Sequence, residues 1–235
     1  MFYDWTFLLV IPPMILAFYA SHKVRSAFAE YSRYRSSSGA TGAEVARAIL
    51  DQNGLGNVTI EPVEGELSDH YDPRKKVLSL SEPVYDSPSL AALGVAAHES
   101  GHAVQDAHAY VPLKLRQGIW PAASFGSNLG PILAIVGIVL LVMTQAGWAK
   151  VIAEVGIVVF AVATFFSVLT LPVEYNASRR ALVMLEQGGF ITAAERPHAK
   201  KVLDAAALTY LAAALVSVMM LLRFILLFMG ASRRD

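Results

Sequence analysis

Apolar residues gather in four long runs, which polar stretches separate from one another. The runs fall at about residues 2–20, 119–144, 151–172 and 202–229, each near the length of about 20 residues that crosses a bilayer. We expect the first run to be an uncleaved anchor rather than a signal peptide, because Asp4 stands at its start and the basic residues follow it. The pattern predicts a mainly α integral membrane protein with about four transmembrane helices.

Two helices are predicted in the polar interval 22–117. Thr41 and Glu44 form a capping-box pattern, which predicts a short helix that ends near residue 53. Ser87 is the expected N-cap of a second helix, with a proline in its first position, and this helix should run to about Ala107.

Two short strands are predicted in the same interval, at residues 58–60 and 77–81. The loop between them, residues 69–73, holds groups that could bind a metal, although such clusters are more often turns. The strands predict a small β-hairpin or sheet, which either has a structural role or pairs with an extended substrate. Together with the two helices they predict a small α+β unit.

The sequence His98-Glu99-Ser100-Gly101-His102 is the candidate for chemistry. On a helix, His98 and His102 lie one turn apart on the same face, so both imidazoles can bind one zinc ion. Glu99 is placed to take a proton from a water that the metal activates. Because the surrounding residues are apolar, these polar side chains need partners, and a metal supplies one.

A third ligand is expected, because catalytic zinc sites commonly have three protein ligands. Two predicted spans separate His102 from Glu174, and an even number of crossings returns the chain to the same side. Glu174 is therefore the first choice, at the predicted start of a helix that would run to Glu186. The alternatives are His70, Asp69, Asp106, His108 and His198.

Composition restricts the possible metal ligands and the possible classes of binding partner. The 235 residues are 55% hydrophobic, carry 19 basic and 19 acidic side chains, and include no cysteine. Thiolate ligands and disulfides are excluded, and any zinc must be held by His, Asp or Glu. No basic patch is interleaved with aromatic residues, so nucleic-acid binding has no support.

Charge also predicts the orientation in the membrane. Fifteen Lys and Arg residues fall in the two stretches on the side of the zinc motif, 22–117 and 174–201, against Lys150, Arg233 and Arg234 on the other side. By the positive-inside rule the zinc motif faces the cytosol. The predicted parts are an anchor (1–21), a zincin-like cytosolic part (22–117), a transmembrane hairpin (118–173), a cytosolic helix (174–201), and a last span with its tail (202–235).

Three sequence segments resemble the YugP-type neutral zinc metallopeptidases of bacterial membranes, whose layout is similar to that of the HtpX-like peptidases. They are residues 97–103 (AHESGHA), 110–116 (YVPLKLR) and 172–181 (PVEYNASRRA). The resemblance implies that His98, His102 and Glu174 bind one zinc ion per chain and that Glu99 is the catalytic base.

The chain departs from the HtpX-like pattern four residues after the third ligand. Those enzymes have an aspartate there, and this chain has Ser178, which can hydrogen-bond a ligand histidine but has no charge. Asp106 is a second candidate to orient a ligand. Candidates to stabilise the oxyanion of the transition state are Tyr175, Arg179, His108 and His70.

The sequence predicts a membrane-bound zinc endopeptidase that cleaves protein or peptide substrates at the cytosolic face of a bacterial plasma membrane. The alternative is a membrane scaffold or adaptor that the metal stabilises and that has no significant proteolytic activity. A transporter is a weaker possibility, which rests on Arg223 and Asp204 in the last span. Chelator-sensitive cleavage of an unfolded protein separates the first two hypotheses.

Overall fold

The computed structural model describes residues 5–233. The chain divides into two compact units. The first contains the described residues of Met1–Tyr19, Leu115–Leu171 and Thr209–Asp235, and the second contains Ala20–Lys114 and Pro172–Leu208. The first four residues of the predicted anchor, including Asp4, and Arg234 of the predicted basic tail lie outside the described residues.

Helices make up most of both units. After a short 3-10 segment at Trp5–Leu9, the elements are α1 (Ile11–Tyr31), α2 (Gly42–Gln52), β1 (Thr59–Val63), β2 (His70–Asp72), β3 (Val77–Ser81), α3 (Glu82–Tyr85), α4 (Leu90–Ala107), α5 (Val111–Thr144), α6 (Gly147–Gln187) and α7 (Arg196–Ser232). The 3-10 segment with α1, and each of α5, α6 and α7, is long and apolar enough to cross a bilayer. The prediction of a mainly α membrane protein with about four spans and a small sheet is confirmed.

Glycines let α5 and α6 pack closely in the first unit. A Cβ atom at Gly137 would collide with the backbone of Ala153, and one at Gly156 would collide with the backbone of Ala134. Close backbone approach of this kind is a common way for helices to associate where no hydrophobic effect drives them together. The two helices are joined by only two residues, so most of the interval 145–150 between the second and third apolar runs is helical.

The third predicted span and the helix predicted to follow it form one continuous helix, α6. We expected a new helix to start at Glu174, but α6 runs without a break through Pro172 as far as Gln187. A proline removes one backbone donor and often bends a helix, but the residues on both sides remain helical here. Glu174 is therefore an interior residue of a long helix. Helix α1 is also longer than predicted and includes part of the basic segment after the first apolar run.

The second unit contains a three-stranded sheet in the order β1-β3-β2. Strand β1 pairs with β3 in parallel, with Thr59 opposite Val77, and β2 pairs with β3 antiparallel, with His70 opposite Ser79. The two predicted strands are confirmed, but the loop predicted at 69–73 was wrong, because His70–Asp72 forms β2. A strand of three residues is too short to show an alternating pattern.

Helix α4 lies at the centre of the second unit and is apolar nearly all round. One side packs with Leu182 and Leu185 of α6, and another packs with Leu78 and Leu80 of β3. A helix that is hydrophobic on every side is a buried helix. The buried position of α4 gives the few polar groups on it a fixed environment.

The start of α4 differs from the prediction. Ser89, not Ser87, is the N-cap, and its hydroxyl accepts a hydrogen bond from the Ala92 amide. The carbonyls of Ser87 and Pro88 accept hydrogen bonds from Gly42 and Ser36, so this segment is extended rather than helical. Long-range pairing, which the local sequence does not reveal, moved the boundary by two residues.

Candidate metal centre

Helix α4 holds the two histidines of the motif side by side. The His98 and His102 rings are edge to face with their centroids 4.8 Å apart, as expected for residues one turn apart. Both residues are buried, with 11% of each side chain exposed. The Nε2 atoms of the two rings face the same point, which lies towards α6.

Glu174 meets them at this point from α6. Its Oε2 atom lies 3.1 Å from His98 Nε2 and 3.5 Å from His102 Nε2, and only 2% of the residue is exposed. Single ligand atoms from the three residues all lie within 4.8 Å of one another. Two imidazole nitrogens and one carboxylate oxygen therefore converge from two helices.

A glycine inside the motif allows this convergence. A Cβ atom on Gly101 would lie 3.0 Å from the carbonyl oxygen of Ala177 and 3.4 Å from its Cα atom. Both contacts are with backbone atoms of α6, which cannot turn away as a flexible side chain could. Gly101 thus lets α4 approach α6 closely enough for a glutamate to reach both histidines.

Each histidine uses its second ring nitrogen for a hydrogen bond. His98 Nδ1 lies 3.1 Å from the Ser178 hydroxyl, and His102 Nδ1 lies 2.9 Å from Gln105 Oε1. Outer partners of this kind orient ligand histidines in metal proteins and leave Nε2 for the ion. Ser178 was singled out from the sequence, whereas Gln105 was missed, because an amide three residues after a histidine belongs to no common motif.

The electrostatics of the site favour a cation. Burial would lower the pKa of His102, but the hydrogen bond and the negative charge of Glu174 raise it above its usual value. Burial also raises the pKa of the Glu99 carboxyl, against the smaller opposite effects of His102 and His98. A buried carboxylate that faces two imidazoles is stabilised by positive charge, from either a proton or a metal ion.

The donor set fits zinc. Two neutral imidazoles and one glutamate are the ligands of a well-known class of catalytic zinc sites, in which a fourth position is kept for water or substrate. Zinc binds nitrogen and oxygen ligands, most often four of them in a tetrahedral arrangement. Among the described residues, His98, His102 and Glu174 form the group with metal-ligating spacing.

The side-chain hydrogen bonds of Asp106 go to groups other than the ligand histidines. Its carboxylate instead accepts hydrogen bonds from Lys76, Lys114 and the Tyr71 hydroxyl. Burial would raise the pKa of Asp106, but the two ammonium groups lower it below its usual value. Asp106 connects the sheet and the start of α5 to the end of α4.

The remaining alternatives are also placed elsewhere. The ring of His70 contacts the Ser68 carbonyl, Asp69 accepts hydrogen bonds from Ser81, and His198 stacks on Tyr31. None of these three, nor the exposed His108 that caps α4, belongs to the metal-ligating group. Of the candidates for oxyanion support, Tyr175 and Arg179 lie on an exposed side of α6, with Tyr175 47% exposed.

Comparisons with known proteins point to the same chemistry. The family model described as "Putative neutral zinc metallopeptidase" matches residues 6–229. The "Putative membrane protease YugP" of Bacillus subtilis (strain 168) is 48% identical over 222 residues, which are 94% of this chain and 96% of that protein. No solved structure matches the chain. The family match spans nearly the whole chain, and the chain belongs to the neutral zinc metallopeptidase family that this model describes.

Proposed function

We propose that this protein is a membrane-bound zinc endopeptidase that cleaves peptide bonds at the cytosolic face of a bacterial plasma membrane. The observation that carries the proposal is the convergence of His98 Nε2, His102 Nε2 and Glu174 Oε2, with Glu99 beside them on α4. The family and the curated relative, whose names describe a metallopeptidase and a membrane protease, support the same activity.

Different residues of the metal centre have different roles in the proposed hydrolysis. Zinc held by His98, His102 and Glu174 would polarise the peptide carbonyl and make a water molecule more acidic. Glu99 would accept a proton from the attacking water and deliver it to the departing amine. Burial, which raises the pKa of Glu99, suits a group that must both accept and release a proton near neutral pH. Ser178 and Gln105 hold the two imidazoles in place.

The proposed membrane side rests on charge. The stretches of chain that carry the metal centre contain fifteen of the nineteen Lys and Arg residues, and such residues concentrate on the cytosolic side of membrane proteins. A substrate would reach the site from the cytosol or from the adjoining bilayer surface.

The activity is tested with detergent-purified protein and an unfolded protein such as casein. We expect cleavage that 1,10-phenanthroline abolishes, that its non-chelating 1,7 isomer leaves intact, and that added zinc restores. Glu99→Gln should bind zinc as the wild type does but lose at least about 100-fold in rate, the lower range for a general base. The matched control is Glu30→Gln, at an exposed carboxylate of α1, which should keep full activity.

Two results would contradict the proposal. If Glu99→Gln cleaves as fast as the wild type, Glu99 is not the base. If the zinc-loaded wild type cleaves no peptide or unfolded protein, the metal-stabilised scaffold becomes the better explanation of the site.

A further inference from the structure

Gln105 is a fully buried polar side chain beside the metal centre. It lies on α4 three residues after His102, and none of its surface is exposed. Its Oε1 atom is 2.9 Å from His102 Nδ1, and its Nε2 atom donates to the Val173 carbonyl at 2.8 Å and to Asn176 Oδ1 at 3.0 Å. Both amide hydrogens are therefore used, and so is the amide oxygen.

The donors and acceptors in these hydrogen bonds can be assigned from the Val173 carbonyl and Arg180. The Val173 carbonyl can only accept, so it must face the Gln105 amide nitrogen. Arg180 Nε can only donate, and it lies 2.8 Å from Asn176 Oδ1, which fixes the orientation of the asparagine. With Asn176 Oδ1 towards Gln105, a reversed glutamine would place its oxygen against two acceptors. Oε1 of Gln105 therefore faces His102.

The orientation of the Gln105 amide determines the tautomer of His102. An amide oxygen only accepts, so the Nδ1 atom of His102 must carry the hydrogen. The Nε2 atom, which faces Glu174, is then the one whose electron pair is available to a metal ion. His98 differs, because the Ser178 hydroxyl beside its Nδ1 atom can either donate or accept.

We propose that Gln105 is a positioning residue. It fixes the tautomer and the ring orientation of His102, and it links His102 through hydrogen bonds to the helix that carries Glu174. Val173 and Glu174 are adjacent in α6, so the bond from Gln105 to the Val173 carbonyl holds the third ligand's backbone against α4. One side chain couples ligands that are 72 positions apart in the sequence. The identity of the ion as zinc rests on the proposed function, but the hydrogen-bond chain does not.

Zinc affinity of two variants at this position tests the proposal. Gln105→Leu keeps the volume but removes the acceptor, and we expect it to weaken zinc binding about 10- to 100-fold in a chelator competition assay. Gln105→Glu keeps an oxygen towards His102 Nδ1 and, as a protonated acid, one donor towards the Val173 carbonyl or Asn176 Oδ1, so it should recover part of the affinity. The control is Leu78→Ala in the core of the same unit, which should lower the unfolding temperature without changing zinc affinity.

Two outcomes of this assay would overturn the proposal. One is wild-type zinc affinity in Gln105→Leu, and the other is an equal loss in Gln105→Leu and Gln105→Glu. The visible spectrum of the Co²⁺-loaded protein provides a readout besides activity. We expect the spectrum of Gln105→Leu to differ from that of the wild type and that of Gln105→Glu to resemble it.

A measurement on the wild type decides the question if Gln105→Leu does not fold. In the metal-free protein, ¹⁵N-histidine spectra should show a hydrogen on the Nδ1 atom of His102, because the Gln105 oxygen beside it can only accept. The signal is assigned by its loss in His102→Asn. A hydrogen on Nε2 instead would overturn the proposal. Because no zinc is involved, this result is independent of whether the wild type binds zinc, which tests the proposed function.

Discussion

At the scale of single residues, the metal centre depends on one carboxylate that reaches two imidazoles. Glu174→Gln keeps the shape of the side chain but removes its charge. We expect it to lower zinc affinity by more than about 100-fold. The loss of a residue that only hydrogen-bonds a metal ligand already lowers metal affinity by up to about 100-fold, and the loss of a ligand should lower it further. The measurement is zinc per chain after dialysis against a mild chelator, with wild type beside the mutant.

The control for Glu174→Gln lies on the same helix. Glu186 is exposed and pairs with Arg196, so Glu186→Gln should retain the full zinc content. If Glu174→Gln retains as much zinc as Glu186→Gln, then the third ligand is another residue and the geometry of the three side chains has been misinterpreted.

The sequence was most informative where helical spacing alone determines proximity. Four-residue spacing brings His98 next to His102, and it also places Ser178 one turn after Glu174, where it meets His98. The same rule was misleading for Asp106, one turn after His102, because its carboxylate binds Lys76, next to β3, and Lys114, in the first turn of α5. Gln105 could be recognised only once Val173 and Asn176 were known to lie opposite it.

At the scale of elements, two glycines of α4 should respond in opposite ways to the same substitution. Gly101→Ala places a methyl group 3.0 Å from the Ala177 carbonyl oxygen of α6. Since backbone atoms cannot yield locally, we expect the helices to separate, with lower zinc affinity and a lower unfolding temperature. Gly94→Ala places its methyl group 3.8 Å from the nearest atom, which is an ordinary contact.

Gly94→Ala therefore serves as the control. Replacing a glycine in a helix interior by alanine stabilises by about 0.5–1 kcal/mol where there is space for the methyl group. We expect this variant to unfold at a slightly higher temperature and to bind zinc as the wild type does. Wild-type zinc affinity in Gly101→Ala would show that the close approach of α4 and α6 is not needed for the site.

Element boundaries were predictable where a local hydrogen bond sets them. The capping box of Thr41 and Glu44 is present at the start of α2, and α6 ends at Gln187, one residue after the predicted end at Glu186. Boundaries set by distant contacts were not predictable. Ser89 became the N-cap of α4 because the segment before it pairs with residues near Ser36, and α6 continued through Pro172.

At the scale of the whole molecule, hydrophobic runs were enough to predict the four candidate spans, because their length and composition are properties of the sequence alone. The sheet was predicted less completely. Its two five-residue strands show an apolar pattern, whereas the three residues of β2 are identified only by their pairing with β3. Which side of the membrane each part faces follows from charge and stays a prediction.

This orientation can be tested with single cysteines, because the chain has none of its own. Glu64 lies in the exposed connection between β1 and β2, and Gln145 lies in the exposed connection between α5 and α6. In intact bacterial cells, a membrane-impermeant maleimide should label Gln145→Cys at once and Glu64→Cys only after the membrane is permeabilised. The cysteine-free parent controls for background labelling. The reverse pattern would place the metal centre outside the cytosol, where its substrates would be extracellular proteins. It would also mean that the fifteen positive charges on the side of the metal centre do not set the orientation of the chain in the membrane.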